Sequence, residues 1–92
     1  MADITILQAH RLSVEAARVA AQEVAERMAR DFGVSHAWDG QVLKFSQSGV
    51  NGTLSLEQEN MARLELSLGM MKAFAPMLRE KLERKMAKVF TA

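Results

Sequence analysis

The chain has no cysteine, no tyrosine and a single proline, Pro76. No apolar run approaches the length that crosses a bilayer. Without cysteine there is neither a disulfide framework nor a thiolate metal site. That suits a reducing cytosol, and a cytoplasmic location is the expectation. The opening M-A-D-I-T-I lacks the basic n-region and apolar h-region of a secretory signal. The formal net charge is only +1, which gives no global reason to expect nucleic acid as a partner. Repeats, low-complexity tracts and Gly/Ser/Pro linkers are missing too, so the 92 residues read as one domain, 1–92. A chain of this size buries roughly 60–65% of its unfolded surface, so the core is modest. Against these absences stand seven methionines and a lone tryptophan, Trp38.

The organising stretch is W-D-G-Q-V-L-K-F-S-Q-S-G-V-N-G-T-L-S-L, residues 38–56. Asp39-Gly40 tolerates positive φ at both central positions and predicts a type I′ hairpin turn. Leu43 and Phe45 alternate with Lys44 and Ser46 as a strand with one buried face. Ser48-Gly49 and Asn51-Gly52 predict a second turn, after which Leu54 and Leu56 resume the alternation. Upstream, residues 3–9 read as a first strand, with β-branched residues and Ile4 and Ile6 on one side. Ser13 is an N-cap and Glu15 complements the helix dipole. Val14, Ala17, Ala21, Val24, Met28 and Phe32 then mark one stripe of a helix over 14–32. Alanines along it allow close approach to a neighbour, Arg18, Gln22, Glu26 and Arg30 form the opposite face, and Gly33 terminates it. Val34, His36 and Trp38 begin a short strand. After a polar turn at 57–60, Ala62, Leu64, Leu66 and Leu68 alternate with polar residues as another strand. Past Gly69, Met71, Phe74, Leu78, Leu82, Met86 and Val89 lie on one helical stripe. Pro76 either kinks that helix or starts it.

The order is β-α-β-β-β-β-α. Four consecutive strands form an antiparallel meander, the first strand pairs with the last of the four, and two helices cover one face. The predicted class is α+β, with a curved antiparallel sheet around the last helix, by analogy a reduced helix-grip fold.

No residue pattern carries catalysis. His10 and His36 have no second ligand at metal spacing and read as ordinary histidines. Ser13, Ser46, Ser48 and Ser55 form no nucleophile elbow. Gly40, Gly49 and Gly52 precede strands rather than a helix, so they are turn glycines, not a phosphate loop. Glu57 and Glu59 sit in an exposed turn. Trp38 packs half-buried at a hairpin end, with ligand stacking or an interface as its other role. One stretch competes for function. Lys81, Arg84, Lys85 and Lys88 fall on one flank of the last helix beside its apolar stripe, and Met70, Met71, Met77 and Met86 are adaptable apolar side chains. A basic amphipathic helix can lie on a lipid boundary; equally, the stripe is the core face and the lysines a solvated edge. The residues nominated as an interaction surface are Trp38, Met77, Lys81, Arg84, Lys85 and Lys88.

The pattern W-D-G-x-x-L-x-F-x-x-S-G-V-x-G-x-L from Trp38 to Leu54 resembles the polyhydroxyalkanoic acid system family, also called the polyhydroxyalkanoate granule-associated region family. I-T-I-x-x-x-H ending at His10, A-A-R at residues 16–18 and L-G-M-M-K-A-F at residues 68–74 match it as well. The methionines and Pro76 depart from it. The resemblance implies a small bacterial protein associated with storage-polyester synthesis or granules, with no catalytic residues, cofactor or metal to carry over. The first hypothesis is therefore a non-enzymatic accessory protein that binds the granule surface or granule proteins, as a homodimer if the sheet edges pair. A small module holding an acyl chain between sheet and last helix is the alternative. An enzyme ranks last.

Overall fold

A computed structural model describes residues 3–47, 49–58 and 60–90, the side chains of Met70 and Met71 excepted. The readings above that fall on Ser48, on Glu59 and on those two methionine side chains lie outside the described residues. In order the elements are β1 (Ile4–Ala9), α1 (Val14–Phe32), β2 (Ser35–Asp39), β3 (Val42–Gln47), β4 (Val50–Ser55), β5 (Met61–Ser67), a 3-10 segment (Gly69–Phe74) and α2 (Ala75–Val89). The strands make one open antiparallel sheet in the order β1-β5-β4-β3-β2, with β1 closing onto β5 as the sequence order predicts. The fold is α+β.

Register explains how the sheet becomes two-faced. Cross-strand partners point to the same side, so Ile6, Leu64, Leu54, Leu43 and Trp38 form one inward row. Ile4, Leu66, Gly52, Phe45 and His36 form the next. The outward rows carry Thr5, Glu65, Thr53 and Lys44, and no helix covers them. The buried residues of both helices join the inward rows in one hydrophobic cluster, which places both helices on that face.

Local chemistry sets the helix ends. The Ser13 hydroxyl accepts from the Ala16 N–H at 3.1 Å. Gly33 sits at φ 69° and donates to Ala29 O at 3.0 Å. Ala17, Ala20, Ala21, Val24, Ala25 and Met28 are buried along α1, and the small side chains let the α1 and α2 backbones come within 8 Å of each other. Pro76 stands in the first turn of α2, where its missing N–H has no carbonyl to serve. The chain approaches it through the tighter 3-10 segment.

The structure corrects several expectations. Asp39 is the last paired residue of β2, opposite Val42, so the turn is Gly40-Gln41. Only Gly40 has positive φ there, 61°, which is the II′ arrangement rather than I′. Asn51-Gly52 belongs to β4, not to a turn. Gly52 is required for space: a β-carbon would collide with the Glu65 carbonyl oxygen and a Leu66 methyl on the neighbouring strand. Val14 is 59% exposed, and burial along α1 begins only at Ala17, one turn further on. Phe74 is 50% exposed rather than buried with Leu78, Leu82 and Met86, because the 3-10 turn shifts it out of phase with the α-helical stripe. At the other end of α2 the core is closed by Phe90, buried beside His10. Arg18 and Gln22 do not face open water either: both reach down to the β2–β3 hairpin. The buried stripe of α2 has its nearest backbone neighbours in α1 and β1 rather than in β3 and β4.

Candidate functional site

The C-terminal half of α1 and the length of α2 run alongside one another, and their facing flanks are not apolar. Between them lies a groove of about 300 Å³ lined by Arg27, Asp31, Phe32, Lys81, Arg84, Lys85 and Lys88. Five cations therefore surround one carboxylate, with an aromatic ring in the wall. Arg27 holds Asp31 at 2.6 Å one turn along α1, and Arg84 reaches Glu80 at 2.6 Å one turn back along α2. Lys81 and Lys85 pair with no carboxylate among the described residues. Helical spacing gives the row: at 3.6 residues per turn Met77, Lys81, Arg84, Lys85 and Lys88 fall within an arc of about 100°. That arc borders the buried stripe of Leu78, Leu82 and Met86, which holds α2 in the fold and keeps the cations at the surface. Chemically the groove can bind an anion.

Of the residues nominated from sequence, Lys81, Arg84, Lys85 and Lys88 come together here. Met77 lies on the same helix face one turn before Lys81 and is 53% exposed. Trp38 is elsewhere. Its ring lies under the Arg18 guanidinium, 4.1 Å from carbon to ring centroid, and its Nε1 donates to Gln22 Oε1 at 3.0 Å. Indole nitrogen only donates, so the Gln22 amide nitrogen is the one facing His36 Nε2, at 3.1 Å, and His36 accepts there. Arg18 Nη1 also donates to Gly40 O at 2.7 Å. This network docks α1 on the hairpin, and it leaves the indole half-buried. Sequence reasoning missed Arg27, Asp31 and Phe32. Their only signal was an i,i+4 ion pair near the end of α1; that they face α2 follows from helix pairing alone.

Both histidines have hydrogen-bond partners within the fold. His10 Nδ1 accepts from the Leu12 N–H at 3.1 Å, and its ring lies 5.3 Å from that of Phe90. Desolvation by this packing pushes its pKa below the ordinary 6.5. Among the described residues no group of three or more His, Asp or Glu is placed to hold a metal ion, and no helix is long and apolar enough to cross a membrane. Between sheet and α2, where an acyl chain was the alternative, Met28, Val34, Val50, Leu66, Leu68, Leu78 and Leu82 leave about 20 Å³. That is room for about one water and far short of an acyl chain.

The motifs that carried the resemblance meet in space. Arg18 of A-A-R touches the W-D-G turn. A β-carbon on Gly69 of L-G-M-M would stand 2.7 Å from Gly49 O of S-G-V. No curated protein and no solved structure matches the chain. The family model for polyhydroxyalkanoic acid system proteins (PHA_gran_rgn) matches residues 4–90, every element from β1 to α2, and the chain belongs to that family.

Proposed function

We propose that the chain is a non-enzymatic accessory protein of the polyhydroxyalkanoate system, acting in the cytoplasm by binding the storage-polyester granule surface or a protein upon it. The observation that carries this reading is the cationic groove between α1 and α2, with five basic side chains against Asp31. Such a surface attracts anionic partners, and its charges are held there by a helix whose other flank is in the core. The non-enzymatic part is supported by the chemistry of the candidate groups: both histidines are engaged in packing contacts, and Ser13 is engaged in capping. The acyl-chain alternative lacks volume.

The test is co-sedimentation of the purified protein with native granules. The wild type is expected to pellet, and a K81Q/K85Q/K88Q variant with an unchanged melting curve is expected to stay largely in the supernatant. Equal pelleting of both proteins, or none for the wild type, overturns the reading.

A further inference from the structure

At the N-terminal end of α2, where the row of cations begins, the fold leaves two large apolar side chains in water. Phe74 is 50% exposed and Met77 is 53% exposed. Phe74 is the residue just before α2 and Met77 lies in its first turn, so both stand at one end of the row that continues through Lys81, Arg84, Lys85 and Lys88. The sequence of chemistries along this edge is thus two apolar groups, then four cations, with Arg27 contributed from α1. A layer of anionic lipid uses both: headgroup phosphates pair with lysine and arginine, and an aromatic ring and a thioether enter the boundary between headgroups and acyl chains.

We infer that the α2 edge is a peripheral binding surface for an anionic phospholipid layer, with Phe74 and Met77 entering the interface and the cations of the groove engaging phosphates. This rests on the surface-binding reading above and names its partner chemistry. The apolar stripe of α2 cannot itself embed, because Leu78, Leu82 and Met86 are in the core. Contact is therefore shallow and mostly electrostatic. Each basic residue near an anionic surface contributes about fivefold in affinity, so replacing three of them lowers vesicle affinity about a hundredfold. Added salt weakens the wild type strongly, because these charges are exposed.

The experiment compares vesicles of phosphatidylcholine alone with vesicles of phosphatidylcholine and phosphatidylglycerol in equal parts. The wild type, K81Q/K85Q/K88Q and F74S/M77S are each tested by flotation, with native granules run in parallel. A F74W variant reports depth, its emission shifting to the blue and being quenched by brominated acyl chains while Trp38 is unaffected. Binding to the mixed vesicles only, lost in both multiple variants and in high salt, supports the inference. Binding to neither vesicle while native granules still bring the protein down overturns it and leaves docking to a granule protein as the mode. Vesicle binding that persists in K81Q/K85Q/K88Q also overturns it, since the cations are then not the contact.

Discussion

Gly40 and Gly52 look alike in the sequence, each following an Asx residue in a hairpin-rich stretch, yet they are needed for different reasons. Gly40 has open space around it and a positive φ. Gly52 has ordinary φ and no space, with the Glu65 carbonyl and Leu66 pressed against it. Gly52→Ala is therefore expected to cost about 1–3 kcal/mol through overpacking, because the obstructing atom is backbone. Gly40→Ala costs about 1–3 kcal/mol through strain at positive φ and Gly40→Asn less, since Asn ranks next to Gly in the positive-φ positions of primed hairpin turns. Denaturant melts of the three variants separate the two causes; equal losses for Gly40→Ala and Gly40→Asn would remove the conformational explanation. His10 gives a pH-dependent counterpart. Its folded-state pKa lies below the ordinary 6.5, so the unfolded chain takes up the proton first. Stability is full above about 6.5, falls as the pH drops through the folded-state value and then levels off. Melts of wild type and His10→Gln from neutral to mildly acid pH should show a shallower decline in the variant, and parallel curves would exclude His10 as the source. At this scale the sequence was a good guide to caps, because Ser13 and Gly33 act on atoms within four residues. It was a poor guide to Gly52, whose role is set by a strand that follows a separate turn.

At the scale of elements, periodicity located α1 to the residue and the interior of α2 correctly. It failed at the margins of each. Arg18 and Gln22 sit on the polar side of α1 by spacing, but a helix flank can meet a hairpin end, and nothing in the spacing says so. Phe74 failed because a 3-10 turn advances about 120° per residue and breaks phase with the helix it leads into. Two predictions belong here. Leu82→Ala is expected to cost about 2–5 kcal/mol as a core truncation, while Lys81→Gln, at the adjacent residue about 100° round the helix and in water, stays within about 0.5 kcal/mol. A neutral Leu82→Ala in thermal melts would mean that the stripe is not core. Arg18→Ala removes a cation over Trp38 and a charged donor to Gly40 O. It should cost about 1–3 kcal/mol and redden Trp38 emission as the indole gains water. A spectrum identical to wild type would show that the guanidinium does not shield the ring.

At the scale of the molecule, the fold segregates its surfaces. One side of the sheet is covered by helices and the other is polar and open, so the charged groove is confined to the seam between α1 and α2. The architecture was legible because alternation and helical spacing each specify a face, and because four short-linked strands leave few ways to pair. The groove was not legible: the four basic residues of α2 could be read as a flank, but Arg27, Asp31 and Phe32 join them only once the two helices are laid side by side.

The strand closing the sheet has a consequence in time rather than in space. Ile4 pairs with Leu66 and Ile6 with Leu64, so β1 meets its partner only after α1 and the whole meander have been made. The hairpin contacts of β2 to β5 are local and can form early, whereas the β1–β5 ladder must close most of the chain into a loop. Ile6→Ala is expected to speed unfolding and leave the folding rate nearly unchanged, and Leu43→Ala to slow folding; chevron plots that show the reverse would place β1 in the nucleus. During synthesis, then, β1 leaves the ribosome long before its partner strand exists, and the outer edge of β5 stands open until the two pair.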